Sequence, residues 1–409
     1  MIVSQVLPVV TDVDVSDVLQ RLAEPEYRSE PFNPVILAFC NDLSRALFRD
    51  LHARAFPELQ ALAFWMRKSE LLKLKQEFDA LQSDCTLLVP RGLVFHVPPS
   101  NVDTIFVYSW LLSVLSGNTN VIRLSDRAGD AANTICRVFG ETLATADSSV
   151  TANTVVLRYG HDEAITSAIS AACDVRVIWG GDTSVNAIRR IALPPHAKEM
   201  TFPDRYSLAV LAAGAYVRLD DSGKRDLASR FYNDTFWFDQ MACSSPRLVV
   251  WTGSREECSS ASASFYELLE REVRAKEYEL APGPRLNKLT FGYRAILDRP
   301  IASYDTFGSE VTVLQLEDIA NFSREHCGGG LLFQAYAATI DEVAAIVGRR
   351  DQTISHFGFS GAELRAFARK LNGRGVDRCV PVGQALSFHR FWDGYDLLRE
   401  FMRTVYIQA

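Results

Sequence analysis

The residues best equipped for chemistry lie in one stretch, Asp239-Gln240-Met241-Ala242-Cys243-Ser244-Ser245-Pro246-Arg247, which runs into the apolar Leu248-Val249-Val250-Trp251. A lone cysteine is more often a buried, inert thiol, yet Asp239, Gln240, Ser244 and Ser245 are not core-like company. At a polar strand entrance or a helix N-terminus its thiolate would be stabilised and could attack a carbonyl carbon. A second candidate is Gly180-Gly181, which closes the β-rich run Asp174-Val175-Arg176-Val177-Ile178-Trp179 and precedes the helix-like Asp182-Thr183-Ser184. Such a turn offers a pyrophosphate close backbone approach, free N–H groups and the positive end of a helix dipole. Its spacing is not G-x-G-x-x-G, and a plain strand-to-helix turn uses the same residues.

Positioning these residues needs a frame, and periodicity supplies one. The first 80 or so residues read as helical, with apolar side chains three and four apart between charges. From Thr86 the pattern changes to short β-branched runs alternating with helices of roughly a dozen residues, as expected of a parallel, doubly wound sheet. After Leu208 a second such series begins, with strands at Arg247-Leu248-Val249-Val250-Trp251, Val311 to Leu316 and from Gly330, and a long helix from Arg255 to about Tyr278.

Composition narrows the function. With 409 residues, 48% hydrophobic and 23% charged, the chain can bury two large cores, and a net charge of -7 gathers neither nucleic acid nor an anionic membrane surface. No run is long enough to span a bilayer, and the start has no basic region before its apolar stretch, so no signal peptide and a cytoplasmic location are expected. Eight scattered cysteines, without a CxxC pair or a cysteine-histidine cluster, argue against disulfides and a structural metal.

Four motifs occur in order: Val97-Pro98-Pro99-Ser100-Asn101, Gly117-Asn118-Thr119-Asn120-Val121-Ile122-Arg123, Ile178-Trp179-Gly180-Gly181-Asp182 and Cys243-Ser244-Ser245-Pro246-Arg247-Leu248. Together they resemble the aldehyde dehydrogenase superfamily, and within it the acyl-CoA reductase family typified by the fatty acyl-CoA reductase of bacterial luminescence. Val380-Pro381-Val382-Gly383-Gln384-Ala385-Leu386 through Trp392-Asp393-Gly394-Tyr395-Asp396 is similar to that family's closing signature. The resemblance implies an α/β, aldehyde dehydrogenase-like fold of two doubly wound lobes. After the helical N-terminal segment (1–85) that periodicity gives, it divides the chain into a nicotinamide cofactor-binding lobe (86–208), a catalytic lobe (209–385) and a C-terminal segment (386–409) expected to pack back on the cofactor lobe or a partner subunit.

By the same resemblance, Cys243 is the nucleophile that accepts the acyl group from a thioester, and Asn101 is an oxyanion donor, typically worth about 3 kcal/mol in the transition state. Arg123 takes the place of the basic residue at the adenosine ribose, while Gly180, Gly181 and Asp182 form the pyrophosphate turn. Asp305 and Phe307, in Tyr304-Asp305-Thr306-Phe307-Gly308, take the places that hold the nicotinamide ribose. Hydrolytic relatives carry a glutamate in E-L-G-G-K; here the corresponding stretch reads Lys198-Glu199-Met200-Thr201-Phe202, so the acyl-enzyme should wait for hydride or pass to another thiol rather than meet water. Arg123, Ser125 and Arg127 favour NADPH, whereas Asp126 favours NADH unless it caps the next helix.

The expected function is thus NAD(P)H-dependent reduction of an acyl thioester to an aldehyde, with NADPH preferred, NADH as the alternative, and no metal. The donor is acyl-CoA or an acyl carrier protein, with homo-oligomerisation left open. The rival readings are a thiol acyltransferase without redox chemistry and a catalytically inactive scaffold. The aromatic run Phe231, Tyr232, Phe236, Trp237 and Phe238 fits either an acyl channel or an amphipathic core helix.

Overall fold

The computed structural model describes residues 1–99 and 104–408, so Asn101 lies outside the described residues. The chain divides into two compact units: Met1–Asp204 with Phe388–Ala409, and Arg205–Ser387.

The first unit opens with β1 (Ile2–Leu7) and β2 (Thr11–Asp14), followed by helices α1 (Val15–Ala23), α2 (Pro34–Arg49), α3 (Pro57–Trp65) and α4 (Lys68–Asp79). It continues through β3 (Thr86–Pro90), β4 (Leu93–Val97), α5 (Ile105–Leu115), β5 (Thr119–Leu124), α6 (Asp130–Leu143), α7 (Ser148–Ala152) and β6 (Thr154–Arg158). Then come α8 (Glu163–Ala172), β7 (Val175–Trp179), α9 (Asp182–Arg189) and β8 (Lys198–Phe202). The sheet order is β2-β1-β6-β5-β4-β7-β8, with β4 to β8 parallel. Strands β4, β5 and β7 are buried along their whole length, as befits a parallel sheet covered on both faces.

The helical reading of the first 80 residues is corrected at β1 and β2. In β1 the buried residues are Val3, Gln5 and Leu7, a period of two, and the strand pairs antiparallel with β6, more than 140 residues on. So short a strand is completed by a distant partner that local periodicity does not reveal.

The Gly117-Asn118-Thr119-Asn120 motif proves to be a buried brace. Gly117 has φ 87°, and a Cβ there would lie 2.1 Å from the Ser29 carbonyl oxygen. The Asn118 Oδ1 accepts from the Arg91 and Gly92 amides at 2.9 and 3.0 Å, and its Nδ2 donates to the Ser113 and Phe401 carbonyls at 3.1 and 3.0 Å. Because the Asn120 Oδ1 can only accept, the His96 Nε2 donates to it at 3.0 Å and Nδ1 accepts from the Ser109 hydroxyl at 2.8 Å. Burial pushes the His96 imidazole down to about 4, so the ring is neutral. The C-terminal strand Met402–Tyr406 pairs antiparallel with β3 within this unit.

The second unit contains β9 (Tyr206–Ala212), α10 (Ala213–Val217), α11 (Asp221–Phe236), β10 (Pro246–Thr252), α12 (Arg255–Ala275) and α13 (Pro282–Asp298). The remaining elements are β11 (Ile301–Phe307), β12 (Val311–Leu316), β13 (Leu331–Ala337), α14 (Ile340–Ile346), β14 (Asp351–Phe357), α15 (Gly361–Leu371) and β15 (Arg378–Pro381). Its order is β11-β12-β13-β10-β9-β14-β15, parallel except for the antiparallel edge strand β11. One face is covered by a core including Leu227, Phe231, Trp251 and Phe265, the other by one including Leu208, Val250, Phe333 and Phe367. Phe231, Tyr232 and Phe236 are buried in the first core, so core packing accounts for that part of the aromatic run. The fold is therefore the two-unit, doubly wound α/β architecture that the sequence implies.

Candidate active site

Cys243 sits in the loop between α11 and β10, at the N-terminal ends of the neighbouring strands β9, β10 and β14. Its thiol is half-buried. Two residues at strand starts bond to Cys243. The Ser207 hydroxyl of β9 donates to the Cys243 carbonyl oxygen at 2.7 Å and accepts from the Thr353 amide at 3.2 Å. The Gln352 carboxamide of β14 points its Nε2 at the Cys243 Sγ, 3.6 Å away. Arg247, buried at the start of β10, donates to the carbonyls of Ala242 and Arg205 at 3.1 and 3.0 Å.

The loop needs support because Asp239 and Gln240 both adopt left-handed backbone, at φ 50° and 62°, which costs non-glycine residues on the order of 1 kcal/mol or more each. The Gly329 amide donates to the Asp239 carbonyl oxygen at 2.7 Å, and the Tyr278 hydroxyl donates to the Asp239 carboxylate at 2.6 Å. Fully buried Gln240 donates to the Pro246 and Leu331 carbonyls at 2.9 and 3.1 Å and accepts from the Gly330 amide at 3.0 Å, tying the loop to β10 and β13. The glycines Gly328-Gly329-Gly330 permit this approach: a Cβ on Gly328 would lie 2.6 Å from the Asp239 carbonyl oxygen, and one on Gly330 2.2 Å from that of Glu310. The buried Lys288 ammonium completes the support by donating to the carbonyls of Ser309, Glu310 and Gly329 at 3.1, 3.0 and 2.9 Å.

The closing signature is held from α11, the helix that leads into the cysteine loop. The Asp234 carboxyl oxygens accept from the Gly383 and Ala385 amides at 2.6 and 2.9 Å, while Arg378 donates to the Gln384, Ala385 and Ser387 carbonyls. Burial pushes the Asp234 carboxyl up to about 7, a rise that the two amides only partly offset.

In the first unit, the chain runs outward from β4 through β5 to β6, then returns to the other side of β4 with β7 and β8. The C-terminal ends of β4 and β7 therefore form the topological switch point, where open α/β sheets bind ligands. Gly180 and Gly181 lie there, Gly180 at φ 157° and Gly181 as the N-cap residue of α9. The Asp182 amide donates to the Asp204 carboxylate at 3.1 Å, and the Asp204 amide returns a bond to the Asp182 side chain at 3.2 Å. The first N–H of α9 is therefore engaged, correcting the expectation of an open helix end. The glycine turn and its place at the switch point fit a dinucleotide through close backbone approach.

Arg123 is 9% exposed; its guanidinium donates to the Gly160 carbonyl at 2.7 Å and lies over the Tyr159 ring, so it braces the loop after β6. At the end of β5, half-buried Ser125 accepts from the Arg127 amide at 3.2 Å, while Asp126 and Arg127 are exposed. Asp126 does not cap α6, because that helix starts at Asp130 with Gly129 at the N-cap. Glu199 on β8 is bound by Arg176, with Nε at 2.9 Å, and by Arg189 at 3.0 Å. In the second unit, Asp305 is exposed on edge strand β11 and accepts from the Ser303 hydroxyl at 2.6 Å, and Phe307 packs on Tyr266.

Residues 15–274 match the model of the family described as acyl-CoA reductase (LuxC). The chain belongs to this acyl-CoA reductase family. A long-chain acyl-protein thioester reductase of Aliivibrio fischeri is 27% identical over 175 residues, which is 42% of this chain and 34% of the relative. The protein of the same name from Vibrio harveyi is 22% identical over 334 residues, 79% of this chain and 65% of the relative. The family member described here thus spans between about a third and two thirds of the length of these curated relatives. Its fold is that of aldehyde dehydrogenases. Aldehyde dehydrogenase 21 from Physcomitrella patens, in complex with succinate, superimposes with TM-score 0.70 at 11% identity, over 96% of this chain and 89% of that one. Methylmalonate-semialdehyde dehydrogenase from Oceanimonas doudoroffii does so with TM-score 0.66 at 12% identity, over 96% and 89%.

Sequence reasoning missed Ser207 and Gln352, which bond to Cys243, and Lys288, which supports the glycine turn against its loop, and it gave Gln240 no structural role. Gln240 alone had a signal, being a polar residue three places before the cysteine.

Proposed function

We propose that this protein reduces acyl thioesters to aldehydes through an acyl group carried on Cys243. The observation that carries the reading is a half-buried thiol whose sulfur faces an N–H donor from Gln352 and whose carbonyl is fixed by Ser207. A thiol placed this way is suited to attack rather than to packing. Family membership supplies the reaction class, and the names of the relatives favour a long-chain acyl group on a protein, with coenzyme A as the smaller donor.

In this account the Cys243 thiolate adds to the acyl carbonyl, the donor's sulfur leaves as a thiol after taking up a proton, and the acyl group remains on Cys243. A nicotinamide, when bound, supplies the hydride, so that one thioester, one NAD(P)H and one proton give an aldehyde, a free thiol and NAD(P)⁺. Asn101 is assigned the oxyanion. We assign the first unit to cofactor binding, with Gly180 and Gly181 against the pyrophosphate and Ser125, Asp126 and Arg127 toward the adenosine ribose; NADPH is the preferred form. Asp305 and Phe307 remain assigned to the nicotinamide ribose. The second unit carries the nucleophile. Use of NAD(P)H and of a free thiol fits the cytoplasm. Among the described residues no helix is long and apolar enough to cross a membrane.

The test is to supply a long-chain acyl-CoA or acylated carrier protein with NADPH and follow cofactor oxidation alongside aldehyde. Equal amounts of aldehyde and NADP⁺ support the reading. Acyl transfer to an added thiol without cofactor oxidation would replace it with the acyltransferase.

A further inference from the structure

We infer that Gln352 is a catalytic residue: its carboxamide N–H stabilises the Cys243 thiolate and then steadies the sulfur of the acyl-enzyme. This rests on the proposed role of Cys243. The carboxamide is 0% exposed, and its Nε2 lies 3.6 Å from the sulfur. Its orientation is set by other bonds, since the Thr353 hydroxyl donates to its Oε1 at 3.3 Å and the Asp377 amide donates to its backbone carbonyl at 2.7 Å. Burying a carboxamide is costly unless both ends are bonded, and here the donor end is directed at a reactive sulfur.

A carboxamide differs chemically from the bases usually found beside nucleophilic cysteines. It holds no exchangeable charge and takes no proton from water, so it favours the thiolate without activating water against the thioester. It also favours the thiolate less than a cation would, which preserves nucleophilicity, since that falls as the thiol becomes more acidic. Charged groups on the packed elements are already engaged: Arg205 with Asp377, Arg324 with Asp351, and Arg247 with backbone carbonyls. His326 is neutral, pushed down to about 3 by burial and by Arg247.

The experiment measures the pH dependence of Cys243 alkylation by iodoacetamide, read by mass spectrometry on the whole protein without substrate or cofactor. It is run on the wild type, Gln352→Met, which keeps the volume without the donor, and Gln352→Glu, which sets an anion beside the sulfur. Loss of one hydrogen bond to a charged group should raise the alkylation midpoint by about 1 pH unit or more in the methionine variant. The glutamate variant should rise further, and kcat should fall about tenfold in Gln352→Met with KM for the acyl donor changed less than about twofold. An unchanged or lowered midpoint in a methionine or glutamate variant whose circular dichroism matches the wild type would overturn the inference. Because alkylation needs neither substrate nor cofactor, that outcome is distinct from a failure of the reductase reading, which leaves the midpoints shifted and no aldehyde formed.

Discussion

Replacing Gln240 by leucine is a severe test of how the cysteine loop is held, because the volume is nearly conserved while three buried hydrogen bonds vanish. The Pro246 and Leu331 carbonyls lose donors at 2.9 and 3.1 Å, and the Gly330 amide loses an acceptor at 3.0 Å. Each contributes roughly 1 kcal/mol net and more where a buried group is left without a partner. A leucine at φ 62° adds further strain, because a γ-branched apolar side chain gains no local polar contact in the left-handed region. The expected loss is about 4 kcal/mol, large against a total stability of about 5–15 kcal/mol yet compatible with folding at low temperature. Urea titration gives this loss directly, and the rate of Cys243 alkylation at fixed pH should change in the same variant because the loop is no longer pinned to β10 and β13. A loss under about 1 kcal/mol with an unchanged alkylation rate would refute the view that Gln240 secures the Cys243 loop.

Asp234 holds its proton in the folded chain at pH values where the unfolded chain has released it, so its stabilising contribution is complete below about pH 4 and lost as pH rises through about 7. Unfolding free energy should therefore fall across that window by at most about 4 kcal/mol relative to Asp234→Asn, and parallel curves for the two proteins would contradict the shift. Asp126→Ala should raise the preference for NADPH over NADH in steady-state assays; since α6 starts at Asp130, with Gly129 at its N-cap position, an unchanged ratio would remove this carboxylate from the cofactor site. Asn101→Ala should lower turnover by about 10²–10³ while cofactor titrations stay as in the wild type, and a wild-type rate would end its assignment to the oxyanion.

The alternation of β-branched runs and helices was readable at elements long enough to show their own period, such as β5, α6, β10 and α12, whereas α13 and β11, between α12 and β12, went unread. The strands β1 and β2 also went unread: β1 is completed by β6 far along the chain, and β2, which pairs with β1, is only four residues long, too short to show a period. Chemistry followed the same division. Cys243 stood out through its polar neighbours, and Gly180-Gly181 through its place after a strand. Gln352, 109 residues beyond the cysteine, reaches the sulfur only because β14 lies beside β9 in the sheet, a pairing that no local pattern announces. Motif residues also carried architecture under the appearance of function. Asn118 and Asn120 brace β4 and β5, Arg123 holds the Tyr159-Gly160 backbone, and the Gly383-Ala385 turn is gripped by Asp234.

Reduction by the proposed route requires that acyl groups pass through Cys243. This passage is measured directly by the intact mass of the protein after incubation with a long-chain acyl-CoA and no nicotinamide, followed by peptide mapping and then by addition of NADPH. The wild type should gain one acyl group, mapped to Cys243 and released as aldehyde when NADPH is added, while Cys243→Ala should gain none and keep its fold. An adduct that forms equally in Cys243→Ala, or that maps to another residue, would contradict the account.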